Sequence, residues 1–289
     1  MTVAADISLR FSDSPVRVTQ EEQLRFDPRS LVEIAATVAR EAGDLARNMR
    51  DTAVADVGTK STQTDVVTAG DTAAEQLVRR RLASLRPGEA VLGEEEGGEA
   101  AVEGLTWVVD PIDGTVNYLY GIPHYAVSLA AQVDGESIAG VVYEPATGHL
   151  WTAWSGGGAY LDDRRLSVSD ATRLDVSLLG YGFSYSPERR RRQAEAWAAL
   201  ATRVRDMRRA GAASLDLCAV AAGRLDAYAE HALNRWDWAA GALIAREAGA
   251  VVHLPGDLPA LGRDVTFAAA PGIAEALCEA LIDADFPRV

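Results

Sequence analysis

The sequence predicts a layered α/β protein built from two closely packed subdomains, and three observations lead there. A long first segment repeats its apolar residues at helical spacing. A run of short strands separated by tight-turn dipeptides then reads as an antiparallel meander. Beyond about residue 165, strand-like and helix-like segments alternate, so helices and sheets should stack in layers. At 289 residues, 48% of them hydrophobic, the chain can fill one large core or two. The expected division is a loose arm over residues 1–26, an α+β subdomain over 27–165 and an α/β subdomain over 166–289.

Each element has a local reason. Asp27-Pro28 and the Ser30-x-x-Glu33 box are helix-start signals, and Leu31, Ile34, Ala35, Val38 and Leu45 form the apolar stripe behind them. "TAGDTAAEQLVRRRLASLRPG" reads as a second helix stopped by Pro87-Gly88. "AVLG" is a strand entering an acidic loop, and "LTWVVD" is another strand. The meander runs through "YAVSLAAQV", a turn at Asp134-Gly135, "SIAGVVYEP", "HLWTAW" and "AYLDD". A strand at "DVSLLGYG" precedes a helix expected from Pro187 to Arg205. "GAASLDLCAVAAG", "WDWAAGALIAREAG" and "IAEALCEALI" are helical, while "RLDAYAE", "AVVHLP" and "VTFAAAP" are extended.

The net charge of −14 argues against nucleic acid or an anionic membrane as partner. It would also repel a phosphate substrate unless cations mediate. Two cysteines, Cys218 and Cys278, sit in apolar helical contexts and suggest a reducing compartment without a disulfide framework. Neither a signal-peptide pattern nor an uncharged run of membrane-spanning length is present, so a cytoplasmic enzyme is expected.

The stretch that needs chemistry is "WVVDPIDGTVNY", Trp107 to Tyr118. Asp110 ends a strand, Pro111 cannot donate a ladder hydrogen bond, and Gly114 permits a tight turn before a helix near Thr115. Asp110 and Asp113 can then point into one space, where two bare carboxylates would repel. A divalent cation resolves the conflict, and hard oxygen ligands suit Mg²⁺. A solvated turn of Asp, Pro and Gly is the competing account. Two other acidic stretches bear on the choice. "LGEEEGG" gathers Glu94, Glu95 and Glu96 after a strand, and "RWDW" sets Asp237 at a helix start, where a first-turn acid is ordinary.

Together, "GEEEGG", "WVVDPIDGTVNY" and "WDWAAGALIAREAGA" resemble the three motifs of the inositol monophosphatase family, in order and spacing. The similarity runs from about Lys60 to Leu281, and "KSTQTDVVTAGD", "GAASLDLCAVAAGRLDAYAE" and "AAAPGIAEAL" match as well. The resemblance implies an αβαβα sandwich, a homodimer, inhibition by lithium and Mg²⁺-dependent hydrolysis of a small sugar or polyol phosphate with two to three ions per site. It further implies that Glu94, Asp110 and the carbonyl of Ile112 hold a first ion. Asp110, Asp113 and Asp237 would hold a second, and a weaker third would lean on Glu94. Asp71 and Thr115, with Glu94, would activate the attacking water. Gly114 and Thr115 would bind phosphate through their N–H groups, and Lys60 would lie near it. Glu230, Asp237 and the Gly211, Ala212 and Ala213 backbone would line the substrate pocket.

This division of labour suits phosphoryl transfer, which needs positioning and charge stabilisation more than covalent help. The substrate implied is myo-inositol 1-phosphate. Related enzymes act on histidinol phosphate, fructose 1,6-bisphosphate or 3′-phosphoadenosine 5′-phosphate, and Arg235 could reach a second anionic group in such a ligand. A regulatory binding protein that keeps the fold is the alternative from another class. Gly70 stands where many relatives carry a larger residue, an expected loosening beside Asp71. The "ERRRRQ" run at 188–193 reads as a solvated helix face. Asp65 is assigned to local structure, His124 and His231 to structural or pocket-lining roles, and Trp151, Trp154 and Trp197 to the core or a subunit interface.

Overall fold

The computed structural model describes residues 26–53, 57–59 and 66–288. The arm expected over 1–26 therefore lies outside the described residues except for Phe26, which packs against the first core cluster. Helix α1 (Pro28–Ala53) is capped by Asp27, whose carboxylate accepts from the N–H groups of Arg29 and Ser30, both at 3.2 Å. Ser30, expected to start the box, instead lies inside the first turn and donates its hydroxyl to Asp27 at 2.5 Å. Proline at the first helical position fixes the start one turn early. Leu31, Ala35 and Val38 are buried as the stripe predicts, whereas Ile34 and Leu45 are half-buried because Ala39, Ala42 and Ala46 continue the seam. Gly43 lets this helix press onto the sheet: a Cβ there would stand 2.6 Å from the Tyr143 ring.

A short pair, β1 (Val57–Thr59) and β2 (Val66–Thr68), precedes helix α2 (Ala69–Leu85). Three-residue strands leave no period to read, so the sequence did not announce them. The main sheet has seven strands in chain order: β3 (Ala90–Gly93), β4 (Leu105–Asp113), β5 (Ala126–Val133), β6 (Glu136–Tyr143), β7 (Leu150–Trp154), β8 (Gly158–Leu161) and β9 (Arg164–Arg165). β3 and β4 are parallel, and every later neighbour is antiparallel. α1 and α2 cover one face, burying Leu31, Val78 and Leu82 against Trp107, Val109 and Leu129.

Helices α5 (Ala213–Ala221) and α6 (Arg235–Glu247) cover the other face, against Val108, Ala130 and Val142. The same two helices pack on a second, five-stranded sheet. Its strands are β10 (Leu178–Tyr181), β11 (Asp206–Arg208), β12 (Ala227–His231), β13 (Val251–His253) and β14 (Val265–Ala269), in spatial order β11-β10-β12-β14-β13. Its far face is closed by α4 (Pro187–Leu200) and α7 (Ala274–Asp283) around Trp197, Leu200, Phe267 and Leu277. The order helix, sheet, helix, sheet, helix is the αβαβα sandwich that was expected. α4 stops at Leu200, short of Arg205, because the chain must reach β11 beside β10.

Trp151 and Trp197 are core residues, while Trp154 stacks on Tyr160 at 5.5 Å. His231 is structural: its ring nitrogens face Asp264 at 2.8 Å and the carbonyl of Phe286 at 3.2 Å. Both cysteines are free and buried. Among the described residues no helix is long and apolar enough to cross a membrane.

Trp107 is fully buried and donates its indole N–H to Glu89 at 2.7 Å. Replacing it with alanine empties the centre of the first core and orphans that bond. Urea unfolding should register a loss of about 3–5 kcal/mol with an unchanged slope.

Candidate active site

The two aspartates of the opening motif share a face because the strand is irregular. On β4, Asp110 pairs with Ser128 and Asp113 pairs with Ala126, so three steps on one strand oppose two on its neighbour. That is a β-bulge, and Pro111 sits inside it, where a missing N–H costs nothing. Ser128 and Ala126 are two apart and point the same way, so their partners do as well. Without the bulge, Asp113 would turn to the opposite face of the sheet. Gly114 then takes φ 90°, a left-handed conformation open to glycine, and helix α3 (Thr115–Tyr120) begins. The same turn packs against α5's entry, since a Cβ on Gly114 would stand 3.2 Å from the Ala212 side chain and 3.3 Å from the carbonyl of Gly211. Asn117 straps the two together, donating to the carbonyls of Ala210 at 2.9 Å and His124 at 2.7 Å.

Asp110 is 2% exposed and Asp113 7%. Burial drives the Asp110 pKa well above the usual carboxylate range, and the negative charges of Glu94, Asp113 and Asp237 push it further. Glu94 also shares a hydrogen bond with Asp110. Burial raises Asp113 to about 6, opposed by the Ser214 hydroxyl and by the backbone N–H groups of Ser214 and Ala213, which donate at 2.7 and 3.1 Å. Asp237 is likewise raised well above its ordinary value by its surroundings, then by Glu94 and Asp113. It belongs to a capping box at the start of α6, accepting the N–H of Asn234 at 2.6 Å. The ordinary first-turn role and membership of the acid cluster are thus both true of it. Glu94, Asp110, Asp113 and Asp237 come from three distant segments and act on one another.

The second group sits beside them. The Thr115 hydroxyl lies 3.1 Å from Asp71 Oδ1 and 3.0 Å from the carbonyl of Ile112, and can donate to either. Asp71 is fully buried in a capping box, its Oδ2 accepting the N–H and hydroxyl of Thr68 at 2.8 and 2.5 Å. The N–H of Ile112 donates to Asp110 at 3.0 Å, leaving its carbonyl directed to the same corner as Thr115. Gly70 is filled from outside, because a Cβ there would meet the Tyr118 hydroxyl at 2.8 Å. The space a larger residue would occupy is thus taken by Tyr118.

Glu230 on β12 lies against the cluster, and burial raises it to about 7 despite the Tyr228 hydroxyl donating to it at 2.5 Å. Gly182 makes room for it: a Cβ there would fall 1.8 Å from its carboxylate. Two neighbours escaped the sequence reading. Asp216, a buried acid on α5, is raised well above its usual range by burial and by Glu230. Arg209 lowers both Asp216 and Glu230. An acid inside the apolar run "SLDLCAV" was the available signal for Asp216. Arg235, which the sequence offered as an anion contact, bonds Gln132 instead at 2.5 Å. Lys60 and Asp65 lie outside the described residues.

Four carboxylates that act on one another, Asp110 and Asp113 buried and Glu94 and Asp237 half-buried, form an all-oxygen donor set with excess negative charge, which suits a hard divalent cation. Among the described residues no three Asp, Glu, His or Cys side chains form a ready-made metal cage. The start of α5 draws both oxygens of Asp113, with two donors from Ser214 on Oδ2 and the Ala213 N–H on Oδ1, so Oδ1 keeps a lone-pair site for another partner.

A family model described as the inositol monophosphatase family matches residues 27–284. The chain belongs to the inositol monophosphatase family. It is a phosphatase, a phosphoric monoester hydrolase. An inositol-1-monophosphatase of Mycobacterium leprae is 51% identical over 274 residues, covering 88% of this chain and 94% of the relative. Nus factor SuhB of Pseudomonas aeruginosa is 42% identical over 229 residues, covering 77% and 84%. The solved structure of Mycobacterium tuberculosis SuhB superposes with a TM-score of 0.77 at 46% identity, covering 89% of this phosphatase and 98% of that chain.

Proposed function

We propose that this phosphatase hydrolyses myo-inositol 1-phosphate to myo-inositol and phosphate with Mg²⁺ held by Glu94, Asp110, Asp113, Asp237 and the Ile112 carbonyl. The observation that carries the reading is the meeting of four acids from three segments beside the Thr115–Asp71 pair. When bound, two to three magnesium ions would supply an activated water and offset charge on the phosphate and the leaving alkoxide. Asp71, held by Thr68 and Thr115, takes the proton of the attacking water, and the Thr115 hydroxyl orients it. Backbone N–H groups of Gly114 and Thr115 donate to phosphate oxygens, with Lys60 as a further cation nearby. Glu230 accepts hydrogen bonds from ring hydroxyls, and the Gly211–Ala213 backbone walls the ring. A cytoplasmic homodimer inhibited by lithium belongs to the same reading.

A panel of esters at fixed Mg²⁺ tests it. Inositol 1-phosphate should give the highest kcat/KM, above histidinol phosphate, fructose 1,6-bisphosphate and 3′-phosphoadenosine 5′-phosphate. Far faster turnover of histidinol phosphate would reject the substrate assignment. One observation favours a second, non-enzymatic role: the P. aeruginosa relative is named a Nus factor. A cellular phenotype that survives loss of turnover in Asp113→Asn would support it.

A further inference from the structure

The acidic loop that carries Glu94 hangs from helix α2 by two residues that the chemistry above does not use. Glu75 is fully buried. Its carboxylate accepts the N–H of Glu95 at 2.7 Å, the N–H of Glu96 at 3.0 Å and Arg79 Nε at 2.9 Å. Arg79 extends the grip, donating to the carbonyls of Val91 at 3.2 Å and Gly97 at 2.6 Å, and lying 3.4 Å from the Glu96 carboxylate. The N–H of Gly93 closes the loop onto the Gly97 carbonyl at 2.9 Å. Gly93 has no side chain to spare, since a Cβ would stand 2.2 Å from Glu75 Oε1. Both ends of the 93–97 loop are therefore tied to one helix, and two of the ties are the amides of Glu95 and Glu96, which follow Glu94.

That helix also carries Asp71 at its third position, one turn before Glu75. The residue that meets Thr115 and the residue that holds the Glu94 loop are thus set on one rigid rod. A stability role alone does not explain the arrangement. Burying an ion pair costs desolvation that its attraction barely repays, and apolar substitutes are often as stable. What charge-assisted, multidentate bonds add is orientation.

We infer that Glu75 and Arg79 are positioning residues, which fix the Glu94 loop against Asp110 and set its distance from the Asp71–Thr115 pair. The inference rests on the reading of Glu94 as a metal ligand and not on the identity of the ester. Its test measures Mn²⁺ binding by the loss of the free-ion electron paramagnetic resonance signal, on the full-length chain without substrate. Glu75→Gln puts an amide NH₂ against backbone donors, and Gly93→Ala displaces Glu75 without altering any acid. Both should weaken Mn²⁺ binding about 10- to 100-fold. Both should raise the Mg²⁺ needed for half-maximal rate by a similar factor, with KM for the ester unchanged at saturating Mg²⁺. Amide exchange at Glu95 and Glu96 should quicken in Glu75→Gln. If one variant fails to fold, the other decides.

Wild-type Mn²⁺ affinity in the folded variants, with only thermal stability lowered, would overturn the inference, and so would a wild-type chain that binds no Mn²⁺. If the variants lose Mn²⁺ while the wild type binds it yet hydrolyses no inositol phosphate, the brace stands and the substrate reading fails.

Discussion

Asp113→Asn is expected to cut kcat/KM by about 10³-fold or more, with the fold retained. The carboxylate interacts with Glu94, Asp110 and Asp237, and under the proposed metal site its loss removes one ligand and forfeits several kcal/mol of charge stabilisation, at about 1.4 kcal/mol per tenfold. Asparagine keeps an oxygen for the N–H of either Ala213 or Ser214, while its NH₂ turns against the other. The structural cost is therefore about 1–3 kcal/mol, reduced by relief of repulsion from Glu94. Steady-state rates at saturating Mg²⁺ and a circular dichroism melt check both halves. Full activity in a folded Asp113→Asn chain would remove Asp113 from the proposed metal site.

Asp71→Asn should lower kcat by about 10²- to 10⁴-fold, the range for loss of a positioned general base, and leave Mn²⁺ affinity near wild type. Oδ1 faces Thr115 and Oδ2 faces Thr68, so an amide satisfies only one side and loses the proposed proton acceptor. The residual rate should climb with pH as hydroxide replaces the missing base. An unchanged kcat would exclude Asp71 from proton transfer. The contrast with Glu75→Gln is diagnostic: one variant loses rate at constant metal affinity, the other loses affinity first.

The acid cluster shows how far a sequence can be read. Asp110 and Asp113 were visible as an unusual pair, and Pro111 and Gly114 hinted at a broken strand. Alternation alone would have sent the two carboxylates to opposite faces, and the bulge that rejoins them is a property of pairing with β5. Asp237 was legible as a first-turn acid, and its local role survives in the capping box. Its proximity to Asp113 depends on α6 lying across the sheet, which no local spacing encodes. Glu75 offered no signal at all. In the sequence it is one acid on a helix, and its importance comes from amides twenty residues away that only folding brings to it. Arg235 shows the complementary case: nearness in sequence to Asp237 said nothing of Gln132 on β5, which accepts from its Nε.

By itself the sequence determined the helices, the meander, the alternating second half and the four acids of the cluster, because these follow from periodicity, turn chemistry and residue type over a few neighbours. The tertiary structure alone decided which acids face each other, which hydroxyl meets Asp71 and which helix holds the Glu94 loop. Those outcomes depend on strand register and layer packing, where one extra residue in a ladder reverses the side from which a carboxylate projects.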